Sequence, residues 1–395
     1  MHVIGQANNS AQGLRALTTI ASLGFVLTGV VSTFLGPILP AVAQRWALSD
    51  SQSGYFFALQ FLGSVIGACF SSVLLPARGF RVTISLAHFM MALGVIGLAL
   101  PQWTSALAAT FVFGMGFGLV IPSTNLLISS AHQGRRASAL SVLNLCWGLG
   151  ALLTPAAVYL TVRQAHVDTF VVELSGLLTL QAVSFLLISN KVPPPNDARV
   201  EVPPLENSTI RHVAILGGMF FLYVAIEASV GGWIATLAGR FASFTSGGWV
   251  LAPSLFYGGL LSGRGLTPLV LLKLRERRLA LAGLMIACLG MCALVITSRW
   301  QLIGAAGFVV GLGLASVYPI TIALLSRFGG KEKRNAGPLF ALAGLGGSIM
   351  PWLVGVVSTW SGSLQAGLMV PLLATIILLW LHAIENHGSQ PLQRP

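Results

Sequence analysis

Runs of about twenty apolar residues, the length that crosses a bilayer as a helix, follow one another along this chain with short polar breaks between them. Ending a segment wherever such a run stops predicts twelve spans, beginning near Arg15, Ser51, Arg81, Thr104, Ala137, Asp168, Arg211, Gly247, Arg278, Arg299, Arg334 and Ser363. One polar connection is long: KVPPPNDARVEVPPLENSTI, from Lys191 to about Ile210, proline-rich and charged in both signs. Such a stretch behaves as a linker. It leaves six spans on either side, so the expected organisation is a helical bundle over 1–190, a cytoplasmic linker over 191–210 and a second bundle over 211–395.

The halves also match each other. FVFGMGFGLVIPSTNLLISS, Phe111 to Ser130, lies over FVVGLGLASVYPITIALLSR, Phe308 to Arg327, with nine identities in twenty positions at an offset of 197. LNLCWGLGALLTP, Leu143 to Pro155, lies over LFALAGLGGSIMP, Leu339 to Pro351, with five identities in thirteen at an offset of 196. Agreement of the offsets, with the matched prolines Pro122/Pro319 and Pro155/Pro351, argues for duplication. The matched glycines are expected where helices approach closely. GMGFG also has the look of a nucleotide-binding fingerprint, but it sits in an apolar span with no strand before it, which excludes that reading.

Composition agrees with membrane residence and then redirects the charge argument. The chain is 55% hydrophobic and 8% charged over 395 residues, with a formal charge of +12; a soluble domain carries about 25% charged residues. A basic excess suggests nucleic acid until its placement is followed. With the N-terminus inside, seventeen of the 22 basic residues fall in cytoplasmic segments, Arg45, Arg163, Arg240 and Arg299 fall outside, and Arg264 lies within a span. That is positive-inside orientation, so no nucleic-acid partner is expected. The prediction is a multi-pass protein of the inner cell membrane, monomeric, with both termini cytoplasmic and the lipid bilayer as its surroundings. Cys69, Cys146, Cys288 and Cys292 lie in apolar runs without metal-ligand spacing, so neither metal nor cofactor is expected.

Candidate chemistry begins with Glu227. The other nine acids fall in loops, in the linker or near span ends, whereas Glu227 sits about the centre of the seventh span, where a charge costs at least about 2.5 kcal/mol and usually faces a cavity or a partner. Two readings stay open: Glu227 faces a central cavity, accepting solute hydroxyls and binding a proton, or it pairs with Arg264 and holds the seventh and eighth spans together. Gly231 and Gly232 follow one turn later, where the backbone can open toward a cavity. The neutral candidates are Gln60, Asn125, Asn144 and Gln181, with Trp147, three residues from Asn144, sharing its helix face. Trp233, Tyr257, Tyr318 and Trp352 add aromatic surface. Amides, rings and one carboxylate suit a neutral polyhydroxylated ligand, whose C–H face packs on an indole. A fixed anion would call for a buried cation, and Arg264 is the one available. Each amide has an alternative as interhelical glue, and His88 in the third span reads as a helix-contact residue.

A six-plus-six duplication with parallel halves is the architecture of the major facilitator superfamily, whose substrates sit near the midplane. IEASVGGWIATLAGR, FYGGLLSGR and SVLNLCWGLGALLTP resemble the fucose/hexose:proton symporter branch of that superfamily. The resemblance implies an all-α integral membrane protein of twelve transmembrane helices in two pseudo-symmetric bundles, carrying a monosaccharide by alternating access, with Glu227, Trp233, Asn125 and Asn144 near the sugar and a proton as the co-transported ion. The loop between spans two and three, LLPARGFR, keeps Arg78, Gly79 and Arg81 of the superfamily signature and lacks its aspartate. The branch's fucose permease has acids in its first and fourth spans; this chain has none in either. Coupling, if present, therefore falls to Glu227, with an uncoupled facilitator or another ion as alternatives.

A drug or lipophile exporter of the same fold is the competing function, and the absence of any mid-span acid in the N-terminal half weighs against it. An intramembrane enzyme is disfavoured: no histidine opens an H-E-x-x-H pattern, and one acid cannot form a carboxylate dyad.

Overall fold

The structure, a computed structural model, describes residues 2–164, 167–187, 207–242, 247–327 and 336–385. Thirteen α-helices are described: α1 (His2–Thr33), α2 (Leu35–Arg45), α3 (Asp50–Ile96), α4 (Trp103–Ala131), α5 (Arg136–Gln164), α6 (Val167–Leu187), α7 (Asn207–Arg240), α8 (Ala252–Leu271), α9 (Glu276–Ile296), α10 (Trp300–Leu314), α11 (Val317–Arg327), α12 (Ala336–Ser361) and α13 (Leu364–Glu385). No strand occurs among the described residues. In lipid this is the expected outcome, because a helix satisfies every backbone polar group internally.

Among the described residues ten stretches are long and apolar enough to cross a membrane, and two features bring them to the expected twelve spans. The first is α3: its 47 residues would form a rod of about 70 Å, more than twice the hydrocarbon thickness. Gly79, at φ 74 and ψ 172, breaks it in two. Only glycine adopts that backbone readily, so the residue beside exposed Arg78 separates spans two and three. The second is α8, twenty residues long and carrying a single charge, Arg264. The first span runs through α1 into α2, and the tenth is divided between α10 and α11. The linker expected over 191–210 lies outside the described residues up to 206; Asn207–Ile210 already belong to α7.

The chain forms two compact units, one of Met1–Trp46 with Leu59–Arg199, the other of Ala47–Ala58 with Val200–Pro395. In the first, α1 packs on α5; in the second, α7 packs on α12 and α8 on α10. Lipid gives apolar helices no hydrophobic reason to associate, so close backbone packing supplies the attraction. The duplication is visible in that packing. A Cβ added to Gly114 would lie 2.2 Å from the Gln60 carbonyl oxygen, and one added to Gly311 would lie 2.1 Å from that of Phe256. Gly63 meets the Phe111 oxygen as Gly259 meets that of Phe308, and Gly150 meets Val26 as Gly346 meets Phe221. Every pair is related by an offset of 195 to 197, so the repeat in sequence is also a repeat of helix contacts. Large apolar side chains left exposed, such as Leu187, Leu289 and Ile296, form the surface that lipid covers.

Candidate functional site

The site grows from one face of α7. Tyr223, Glu227 and Gly231 are spaced four apart, so their side-chain positions stack on the same side of the helix. Glu227 lies thirteen residues from the helix end at Arg240, roughly 20 Å into the span. α8 supplies Tyr257 and Arg264, seven residues and therefore about two turns apart. Gly231 creates the fit between the helices: a Cβ there would stand 2.3 Å from the Tyr257 hydroxyl, so the missing side chain admits the phenol beside the acid.

Arg264 Nη2 stands 3.9 Å from Glu227 Oε2, with 29% and 18% of the two side chains accessible. The separation is longer than the roughly 2.7–2.9 Å of a charge-assisted hydrogen bond, so this is a charge pair without a direct bond. Arg264 Nη2 donates instead to the Tyr223 hydroxyl at 3.3 Å, one helical turn before Glu227 on α7. Tyr318, from the start of α11, packs on Tyr223 with ring centroids 5.1 Å apart and on Phe220 at 5.6 Å. The phenols of Tyr257 and Tyr318 both lie within electrostatic reach of the carboxylate. At 4 Å a charge pair gains about 4 kcal/mol at an effective dielectric constant near 20, against about 5–7 kcal/mol for two charges at this depth. Attraction therefore offsets more than half of that cost without sealing the pair. By rise per residue Arg264 stands somewhat too deep for a level pairing, and its long side chain spans that difference.

The other sequence candidates are placed as follows. Trp233 is fully buried, donating from Nε1 to the Pro351 carbonyl at 2.8 Å, with its ring 5.8 Å from Phe57; it ties α7 to α12 and to the first turns of α3. Gly232 makes room for that same Phe57 ring. Trp352 is half-buried, 6.3 Å from the Tyr55 ring, and its Nε1 is buried with no partner among the described residues. In the first unit, Gln60 is buried and donates to the Ser32 carbonyl at 3.2 Å. Asn125 is half-buried and Asn144 exposed; each donates to the carbonyl four residues back, Ile121 and Leu140, at 2.9 Å. Trp147 is half-buried. Gln181 bridges to the Ile20 carbonyl at 2.6 Å, and His88 stacks on Phe185 at 5.7 Å. The structure thus gathers Glu227, Arg264, Gly231, Tyr257 and Tyr318, and leaves Trp233, Gly232 and Trp352 in neighbouring packing within the same unit.

Sequence reasoning passed over Tyr223, although its position one turn before the acid was the available signal. It also left Asp50 and Arg240 as unrelated end residues. Arg240 Nη2 contacts both Asp50 oxygens, at 2.5 and 2.7 Å, and Ser358 donates to the same carboxylate. A separation of 190 residues hid that contact. No group of three or more potential metal ligands occurs among the described residues.

Residues 21–337 match the family description of the Major Facilitator Superfamily. The chain is similar to the niacin transporter of Acinetobacter baylyi, 27% identical over 181 residues, 45% of this chain and 40% of that protein. It is also similar to the enterobactin exporter of Salmonella choleraesuis, 27% identical over 197 residues, 45% of each. The matched region thus spans less than half the length of these curated relatives. Among solved structures, a bacterial homologue of the human lysosomal transporter Spinster, inward-facing and occupied, aligns with a TM-score of 0.77 at 13% identity over 96% of this chain and 97% of that one. The Escherichia coli fucose:proton symporter aligns at 0.63 with 15% identity, over 94% and 98%. At such identities the structural likenesses show the fold.

Proposed function

The chain belongs to the major facilitator superfamily, and from that premise we propose that it is a proton-coupled secondary transporter of a small polar solute, working by alternating access, with Glu227 as the proton carrier. The observation that carries this reading is the accessible carboxylate held 3.9 Å from Arg264 at mid-span. A structural ion pair in lipid gains most from direct hydrogen bonds and complete burial; this one has neither, so its partners are positioned to separate. Protonating Glu227 removes that attraction, so the guanidinium can turn toward a solute that has entered while it keeps its bond to the Tyr223 hydroxyl.

For the solute, the expectation from sequence is a monosaccharide. The carbonyl oxygens of Asn125 and Asn144 support it, since only their amide nitrogens are used in the bonds to their own helix, and a carbonyl oxygen accepts from a hydroxyl. A second reading, export of an organic solute, draws on the enterobactin exporter match. The arrangement proposed in the membrane is a monomer in the inner cell membrane with both termini cytoplasmic.

Proteoliposomes with an entrapped pH dye test the coupling, with labelled hexoses and organic acids as probes. Glu227→Gln is expected to lose accumulation driven by a pH gradient while retaining solute exchange. Accumulation at the wild-type rate would remove Glu227 from the coupling step, and loss of exchange as well would make it a binding or structural residue.

A further inference from the structure

We propose that the Glu227–Arg264 pair is a carboxylate-exchange site: when Glu227 is protonated, Arg264 takes the carboxylate of a small organic monocarboxylate in its place, so that acid and proton move together with no net charge. This rests on the reading of Glu227 as the proton carrier and departs from the monosaccharide expected from sequence, assigning an acidic solute to the same site.

Charge conservation at depth is the first argument. The site holds one carboxylate and one guanidinium 3.9 Å apart and is neutral as a pair. A carboxylate entering alone would leave a surplus negative charge where water is scarce, which is strongly disfavoured. A carboxylate entering with a proton on Glu227 restores neutrality. No bond to the substrate is made or broken; the proton goes to a Glu227 oxygen and leaves from it.

Geometry is the second. A guanidinium presents a planar fork that matches a carboxylate in two parallel hydrogen bonds, and the side chain that shares this site with Glu227 keeps 29% of its surface accessible. The 3.9 Å contact shows that Glu227 does not fill that fork at bonding distance. Tyr223 completes the exchange, since its hydroxyl already accepts from Arg264 and a protonated Glu227 becomes a donor. The phenol rings add flat apolar surface for the body of the acid.

The surroundings fix the stoichiometry. The ionisable groups facing Glu227 are Tyr223 on its own helix, Tyr257 and Arg264 on α8, and Tyr318 on α11. α10 and α12 carry no ionisable residue, and on α13 His382 and Glu385 stand near its C-terminal end. Asp50 and Tyr55, from the start of α3, meet Arg240 and Trp352 instead. No second acid shares the proton among the described residues, so one proton accompanies one carboxylate.

The test uses the purified full chain and matched probes at millimolar concentration: glucuronate against glucose, and benzoate against benzamide. Calorimetric titration in buffers of different ionisation enthalpy counts protons, and thermal melts establish that each variant folds. Expected are binding of the carboxylates over their neutral partners and uptake of about one proton per carboxylate. Glu227→Gln should bind the same acids with no proton uptake, and Arg264→Gln should weaken them roughly ten- to hundredfold, with partial recovery in Arg264→Lys. Neutral probes that bind with proton uptake lost in Glu227→Gln would overturn the carboxylate assignment while leaving Glu227 as proton carrier. Carboxylates that bind wild type without proton uptake would overturn both. Failure of every carboxylate to bind overturns the exchange site.

Discussion

Gly231 decides the shape of the cluster by what it lacks. Its hydrogen leaves the space taken by the Tyr257 hydroxyl, which a Cβ would approach to 2.3 Å. That distance is too short to be absorbed without moving the phenol away from Glu227. Gly231→Ala is therefore expected to lower the thermal midpoint of unfolding by an amount corresponding to about 1–3 kcal/mol, the usual cost of overpacking. Adding Tyr257→Phe, which removes the oxygen in conflict, should restore part of it. A single variant that melts as wild type does would show that the phenol is not wedged there. At this scale Glu227 is legible in the sequence as a charge in an apolar run, and Gly231 stands out with it, but as a point of backbone opening. Its contact with Tyr257, a residue of another helix, is what the linear chain did not reveal.

Helices carry the duplication more faithfully than side chains do. Gly150 and Gly346 each place a backbone carbonyl 2.1 Å from where their Cβ would be, Val26 in one unit and Phe221 in the other. α1 against α5 and α7 against α12 thus make the same close approach. Alanine at either position should push its helix pair apart and lower the midpoint in detergent by an amount corresponding to about 1–3 kcal/mol. Gly176 and Gly265 have nothing within 4 Å of the place an added Cβ would take, so alanine there should leave the midpoint unchanged or add up to about 1 kcal/mol of stability through helix propensity. Equal effects at all four positions would refute the packing role. Proline and glycine spacing made these helices legible as related, because a repeated contact demands a small residue at a repeated place. The turn at Gly79 was legible as a loop between spans, and its φ of 74 gives that loop its physical form.

Across the whole molecule the two units share a packing plan and differ in charge. The offset of 195 that relates Val26 to Phe221, and of 196 that relates Gly63 to Gly259, sets Glu227 opposite Ser32 and Arg264 opposite Ala68. The charge pair thus belongs to the second unit without a counterpart in the first. Orientation is testable at the same scale: a C-terminal fluorescent protein that folds only in the cytoplasm should glow, and a C-terminal periplasmic phosphatase should be silent, since seventeen of 22 basic residues stand on one predicted side. The reverse result would invert the topology. Sequence alone determined the number of spans, the duplication and the solitary acid, because the bilayer requires about twenty apolar residues per crossing and that demand is written locally along the chain. Tertiary structure alone decided that Arg264 meets Glu227 and Tyr223, that Arg240 meets Asp50 and that Trp233 is bound to Pro351. These contacts depend on how each helix is rotated against its neighbour, and a turn of a few tens of degrees exchanges one partner for another without altering the apolar pattern from which the spans are read.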